Sequence, residues 1–139
     1  MTEFHLGRLI DHVHLRVADL EKSRKFYRAV LEAVGRRITF ETEHFFVSDE
    51  LFVDRADDYI SRVHLAFQTP DIAAVQRFHA AGLANGGTDN GVPGERNYHP
   101  GYYAAFLLDP DGNNIEAVWH GPATRSAESV VMTPAQDPA

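Results

Sequence analysis

The sequence predicts an α+β chain built from two tandem copies of one strand–helix–three-strand module. Three observations predict it. Sliding the chain by 52 residues places His12 on His64, Leu15 on Phe67, Asp19 on Asp71, Leu20 on Ile72 and Phe26 on Phe78 without a gap. Each copy opens with a period-two apolar run that gives way to a 3.6-residue apolar stripe. Each copy then closes in short apolar runs separated by turn residues, the last two joined by Asp109-Pro110-Asp111-Gly112.

The first run, "LIDHVHLRV", alternates, with Ile10, His12, His14 and Arg16 on one face and Val13, Leu15 and Val17 on the other. That pattern reads as a strand. In "ADLEKSRKFYRAVLEAVG" the period changes, and Leu20, Phe26, Tyr27, Val30, Leu31 and Val34 form a helical stripe. Asp19 suits the N-cap and Gly35 the C-cap, while Glu21, Lys22, Arg24 and Lys25 read as a solvated face. "RRITF", "HFFVS" and "LFVDR" are three strand candidates.

The second copy repeats the order. "SRVHLAFQT" is a strand with Val63, Leu65 and Phe67 inward. A helix opened by Thr69 and Pro70 carries Ile72, Val75 and Phe78 and ends at Gly82. Strands are expected near 86–91, then at "YYAAFLL" and "NNIEAVW", with a Gly- and Pro-rich loop over 91–101. Residues 1–121 form one domain, with module one at about 8–57 and module two at about 60–121. Residues 122–139 lack periodicity and read as a flexible tail. A shift of 50 also superposes the two "VHL" tripeptides, but it throws the helices out of register. The shift of 52 is therefore preferred, and it pairs His12, not His14, with His64.

Composition narrows the function. A net charge of -7 with no Lys/Arg cluster argues against nucleic acid and anionic membrane as partners. No apolar run reaches the roughly 20 residues of a membrane helix, and the first residues show no signal pattern, so a cytoplasmic location is expected. The chain has no cysteine, which leaves His, Asp and Glu as metal ligands, and it has eight His to draw on.

Glu116 stands in the middle of the apolar run "NNIEAVW". Burying an unpaired carboxylate is costly, so it calls for a cation, a hydrogen-bond donor or water. His12, His64 and Glu116 share this placement on strands, and two His with one carboxylate make a facial set for a divalent ion with open positions. These ligand types suit Fe, Mn, Zn, Ni or Co alike. Taken singly, each is an ordinary polar residue on a half-exposed strand; the coincidence with the repeat makes them a candidate set.

The segments "DHVHLRVADLEKSRKFY", "HLAFQTPDIAAVQRFH" and "LLDPDGNNIEAVWH" resemble the three signature segments of the vicinal oxygen chelate superfamily. That group holds glyoxalase I, fosfomycin-resistance thiol transferases, extradiol dioxygenases, methylmalonyl-CoA epimerase and bleomycin-resistance proteins. The resemblance spans roughly residues 8–121. It implies paired βαβββ modules whose curved mixed sheets enclose a central cavity, the glyoxalase-like fold. It also implies metal ligands at His12, His64 and Glu116, and a homodimer. Glyoxalase I has a further carboxylate ligand at the end of the first module; alignment puts Val53 near that place, with Asp54 one residue away.

The expected function is that of a small metal-dependent enzyme acting on a small molecule with neighbouring oxygens. A glyoxalase-like lyase or isomerase, a thiol transferase and a dioxygenase all fit. The alternative is a non-catalytic protein that sequesters a small molecule, as bleomycin-resistance members do. His14, His99 and Tyr102 are candidate catalytic groups. Arg96, Tyr98 and Tyr103 are candidate substrate contacts.

Overall fold

Asp19 and Asp71 each have extended backbone, and their side chains accept a hydrogen bond from the N–H three residues on, Lys22 at 3.1 Å and Ala74 at 2.8 Å. These caps start the two helices of a computed structural model that describes residues 4–6 and 9–135. Helix α1 runs Leu20–Ala33 and α2 runs Ile72–Ala84. The strands are β1 Phe4–Leu6, β2 Val13–Val17, β3 Phe40–Glu41, β4 Phe45–Ser48, β5 Leu51–Arg55, β6 His64–Gln68, β7 Thr88–Glu95, β8 Tyr103–Leu108, β9 Asn114–Trp119 and β10 Val130–Met132.

Two four-stranded mixed sheets result, ordered β2-β5-β4-β3 and β6-β9-β8-β7. In each, the first strand pairs in parallel with the last, and the other pairings are antiparallel. The repeat read from the sequence is thus the repeat of the fold.

One face of each sheet is covered. Leu15, Val17, Phe46, Leu51 and Val53 of the first sheet join Phe26, Tyr27, Val30 and Leu31 of α1; Ala105, Leu107, Ile115 and Ala117 of the second join Val75 and Phe78 of α2. These residues form one cluster because the helices pack on each other. Burying such side chains stabilises by about 1.5–3 kcal/mol each. Gly82 lies inside α2, not at its end as expected. A Cβ there would stand 2.1 Å from Leu107 Cδ1 and 3.2 Å from Val30, so the glycine serves close packing. The helix stops instead at Asn85, followed by Gly86 at φ 96°.

The Asp109–Asn113 turn joins the two modules. Asp109 accepts from Tyr27 Oη at 2.5 Å, from the N–H of Asp111 and Asn113, and from Asn113 Nδ2. Burial, then the Asp109 charge, pushes the Tyr27 phenol well above its ordinary value, so it stays a donor.

Several expectations need correcting. Pro70 precedes the cap Asp71 and does not open α2. "RRITF" yields only Phe40–Glu41 as strand. Arg24 is buried, with Glu21, Glu41 and the Thr42 carbonyl as partners, and is not solvated. Within the segment read as a tail, Val130–Met132 pairs antiparallel with Phe4–Leu6, and residues 136–139 lie outside the described residues.

Candidate metal centre

The face of the second sheet turned away from α2 holds the candidate residues. His64 is level with Asn114, and Glu116 with Ala66 on one side and Phe106 on the other. Paired residues share a face, so His64 and Glu116 project together, and the small Ala66 leaves space beside the carboxylate. His64 Nε2 lies 2.8 Å from Glu116 Oε1. Glu116 is 2% exposed. Its second oxygen accepts from the Tyr102 hydroxyl. Burial and the Glu116 carboxylate push the Tyr102 phenol up to about 12, which keeps it protonated and donating at neutral pH. A buried carboxylate is thereby satisfied at both oxygens.

A ring cluster surrounds Tyr102. Tyr98, His99 and His120 all meet it edge-on, with centroids 4.9, 5.3 and 5.2 Å away. His99 and His120 stack and share a 2.9 Å contact between Nε2 and Nδ1. Phe106 lies 6.1 Å from the His64 ring, and Arg96 lies over Phe106 while its guanidinium donates to the carbonyls of Val92, Gly94 and Glu95.

The donor types fit a first-row divalent ion. A neutral imidazole nitrogen and a carboxylate oxygen 2.8 Å apart match the roughly 3 Å between adjacent ligand atoms around an ion with ~2.1 Å bonds. Only two of the three expected ligands meet. His12 precedes β2 by one residue, is largely exposed, and its Nδ1 bonds Asp11 at 2.7 Å. Among the described residues, no group of three or more His, Asp and Glu could hold an ion.

The other expected residues divide by sheet. His14 sits on the first sheet, with Nε2 2.7 Å from Asp54 Oδ1. Tyr103 faces the core, level with Trp119, and its hydroxyl accepts from Gln76 at 3.4 Å. Tyr98 is 65% exposed beside Tyr102. The register also moves the fourth-ligand position. Val13 is level with Leu51, so His12, one residue earlier, falls level with Glu50, and Phe52 takes the place that Glu116 has relative to His64. Val53 is a core residue, and Asp54 lies on the opposite face, as expected, together with Phe52. Sequence reasoning missed His120, though strand alternation carried on from Glu116 would have flagged it; it named Asp54, but not as the partner of His14, which only the pairing of β2 with β5 shows.

Comparison with known proteins decides the family. The model of the Glyoxalase/Bleomycin resistance protein/Dioxygenase superfamily matches residues 9–117. The chain belongs to that superfamily. A glyoxalase/bleomycin resistance protein from Albidiferax ferrireducens T118 is 34% identical over 79% of this chain and 98% of its own, with a TM-score of 0.69. A glyoxalase-related enzyme from Fulvimarina pelagi shares the fold at 19% identity, covering 92% and 99% of the two chains with a TM-score of 0.67. So does a lactoylglutathione lyase from Agrobacterium tumefaciens, at 18% identity, 81% and 93% coverage and a TM-score of 0.59. No curated protein matches. As a superfamily member, the chain carries its buried Glu116 on the last strand of its second module.

Proposed function

We propose that this superfamily member is a divalent-metal-dependent enzyme acting on a small molecule with two neighbouring oxygens. The observation that carries the reading is Glu116, a buried carboxylate on an apolar strand, facing His64 Nε2 at 2.8 Å. His12 of a second copy completes the set, since each chain brings two ligands together and leaves its own His12 exposed elsewhere. When bound, the ion supplies Lewis acidity toward an anion developing on the substrate oxygens.

The chain's own groups do the rest. Tyr102 holds Glu116 Oε2, leaving Oε1 and His64 Nε2 as the donor pair. Phe106 beneath Arg96 walls one side of the pair. His14, oriented by Asp54, is the imidazole proposed to accept and return a substrate proton; His99 has its two ring nitrogens on the Pro100 carbonyl and His120 Nδ1 and serves to position the ring cluster around Tyr102. The chemistry of the site admits lyase, isomerase, thiol-transfer and dioxygenase reactions.

Metal analysis of protein purified without an affinity tag tests the reading. One ion per chain is expected, with loss on His64→Ala and on Glu116→Gln. If the ion cannot be restored to the wild type, the chain is a binder that does no metal chemistry.

A further inference from the structure

Strand β7, at the edge of the second sheet, carries an irregularity beside the candidate site. Its register passes from Asp89 level with Leu107 to Gly91 level with Phe106, so Asn90 is the extra residue of a β-bulge. Asn90 is exposed, and its Nδ2 donates to Asn114 Oδ1 at 3.2 Å. Asn114 shares the strand face of Glu116 and is level with His64. Gly91 follows at φ 154°, a backbone that L side chains rarely adopt. Its N–H donates to Asp89 Oδ1 at 3.0 Å, an oxygen that His79 Nε2 of α2 also meets at 2.8 Å. The Gly91 nitrogen therefore has a proton acceptor on the α2 side of the strand and the Asn90 carboxamide on the other.

We propose that Asn90 is a site of self-modification, in which the Gly91 nitrogen attacks Asn90 Cγ and closes a five-membered succinimide. The N–Cγ bond forms, the Cγ–Nδ2 bond breaks, and ammonia leaves with the proton from Gly91. Water then opens the ring at Cγ to give aspartate, or at the Asn90 backbone carbonyl carbon to give isoaspartate. No ion, oxidant or substrate takes part, so the reaction is independent of the metal reading. Glycine permits it because no side chain crowds the attacking nitrogen.

The sequence holds a second Asn-Gly pair, Asn85-Gly86, and the fold treats it differently. Asn85 is half-buried at the end of α2, where its N–H donates to the Gly82 carbonyl at 3.1 Å and its Nδ2 to the Ala81 carbonyl at 2.8 Å. Among the described residues no carboxylate accepts from the Gly86 N–H. Conversion of Asn90, in contrast, reaches the candidate site. It puts a negative charge beside Asn114. Isoaspartate also lengthens the backbone at Gly91, where even a Cβ would stand 2.9 Å from Phe106 Cδ1 and 3.3 Å from Arg96 Nη2, the two residues that wall the His64–Glu116 pair.

The test ages the full chain in mildly alkaline buffer, either folded or unfolded in urea, and follows it by anion exchange and peptide mapping. Both asparagines fall in the tryptic segment 78–96, so fragment ions assign the site. In the folded chain Asn90 is expected to convert at least ~tenfold faster than Asn85, to a mixture of aspartate and isoaspartate. In urea the two should convert at similar rates, since each precedes a glycine. Asn90→Gln should abolish the acidic species of the folded chain, because its longer side chain closes the ring far more slowly. Equal rates at Asn85 and Asn90 in the folded chain overturn the proposal. So does an Asn90 that stays intact when folded over a period in which the unfolded chain converts, or an acidic species that persists unchanged in Asn90→Gln.

Discussion

Replacing Tyr102 with Phe removes one hydroxyl and keeps the ring. The lost hydroxyl is the donor to Glu116 Oε2, and Glu116 is 2% exposed, so water cannot readily take its place. A hydrogen bond to a charged group contributes about 1.5–3 kcal/mol. Metal-free Tyr102→Phe should lose that much stability. With a urea slope of about 2 kcal/mol/M, the unfolding midpoint should fall by about 1 M while the slope stays unchanged. The ring contacts to Tyr98, His99 and His120 persist, so packing loss does not confound the comparison. Tyr103→Phe is the internal control. Among the described residues that hydroxyl meets Gln76 Nε2 at 3.4 Å, and its loss should cost under about 0.5 kcal/mol. Equal midpoints for Tyr102→Phe and wild type would refute the claim that the hydroxyl satisfies a buried carboxylate.

Other parts of the account make further predictions. Gly82→Ala should destabilise by about 1–3 kcal/mol, read by chemical unfolding, because its Cβ would collide with Leu107 inside the helix contact. The hydrogen bond from His79, then that from the Gly91 N–H, holds the Asp89 carboxyl below the usual range. A depressed carboxylate contributes stability above its unfolded value near ~4 and loses it as pH falls through the folded value. Wild type and Asp89→Asn should therefore differ in unfolding midpoint at pH 7, and the difference should shrink as the pH is taken below about 4. His12→Ala should lose bound metal and His14→Ala should keep it, as measured by elemental analysis; the reverse result would favour the 50-residue register.

Much of the fold was legible because periodicity reports burial directly. The Leu20–Val34 stripe and the Val13, Leu15 and Val17 alternation became the faces that the core covers. Local signals misled where tertiary contacts prevail. Gly82 looked like a helix end because glycine suits that place, but it marks where Leu107 and Val30 press on the helix. Thr69 and Pro70 looked like a helix start, yet the Asp71 side chain makes the cap bond. The pairing of Glu116 with His64 followed from alternation plus the repeat. The position of Phe52 did not, because a one-residue choice in register exchanges a core valine for a face-forming phenylalanine. Nor could a repeat show that His12 stands apart from His64, since equivalence between modules says nothing about distance within one chain.

Mixing subunits tests the composite site most directly. His12→Ala and His64→Ala proteins are unfolded together, refolded as a mixture and assayed for bound metal per dimer. Each variant alone should hold none. In the mixed dimer one site carries both lesions and the other carries neither, so about one ion per mixed dimer should return. If metal does not return, or if His12→Ala alone binds like the wild type, a site shared between two copies through His12, His64 and Glu116 is contradicted.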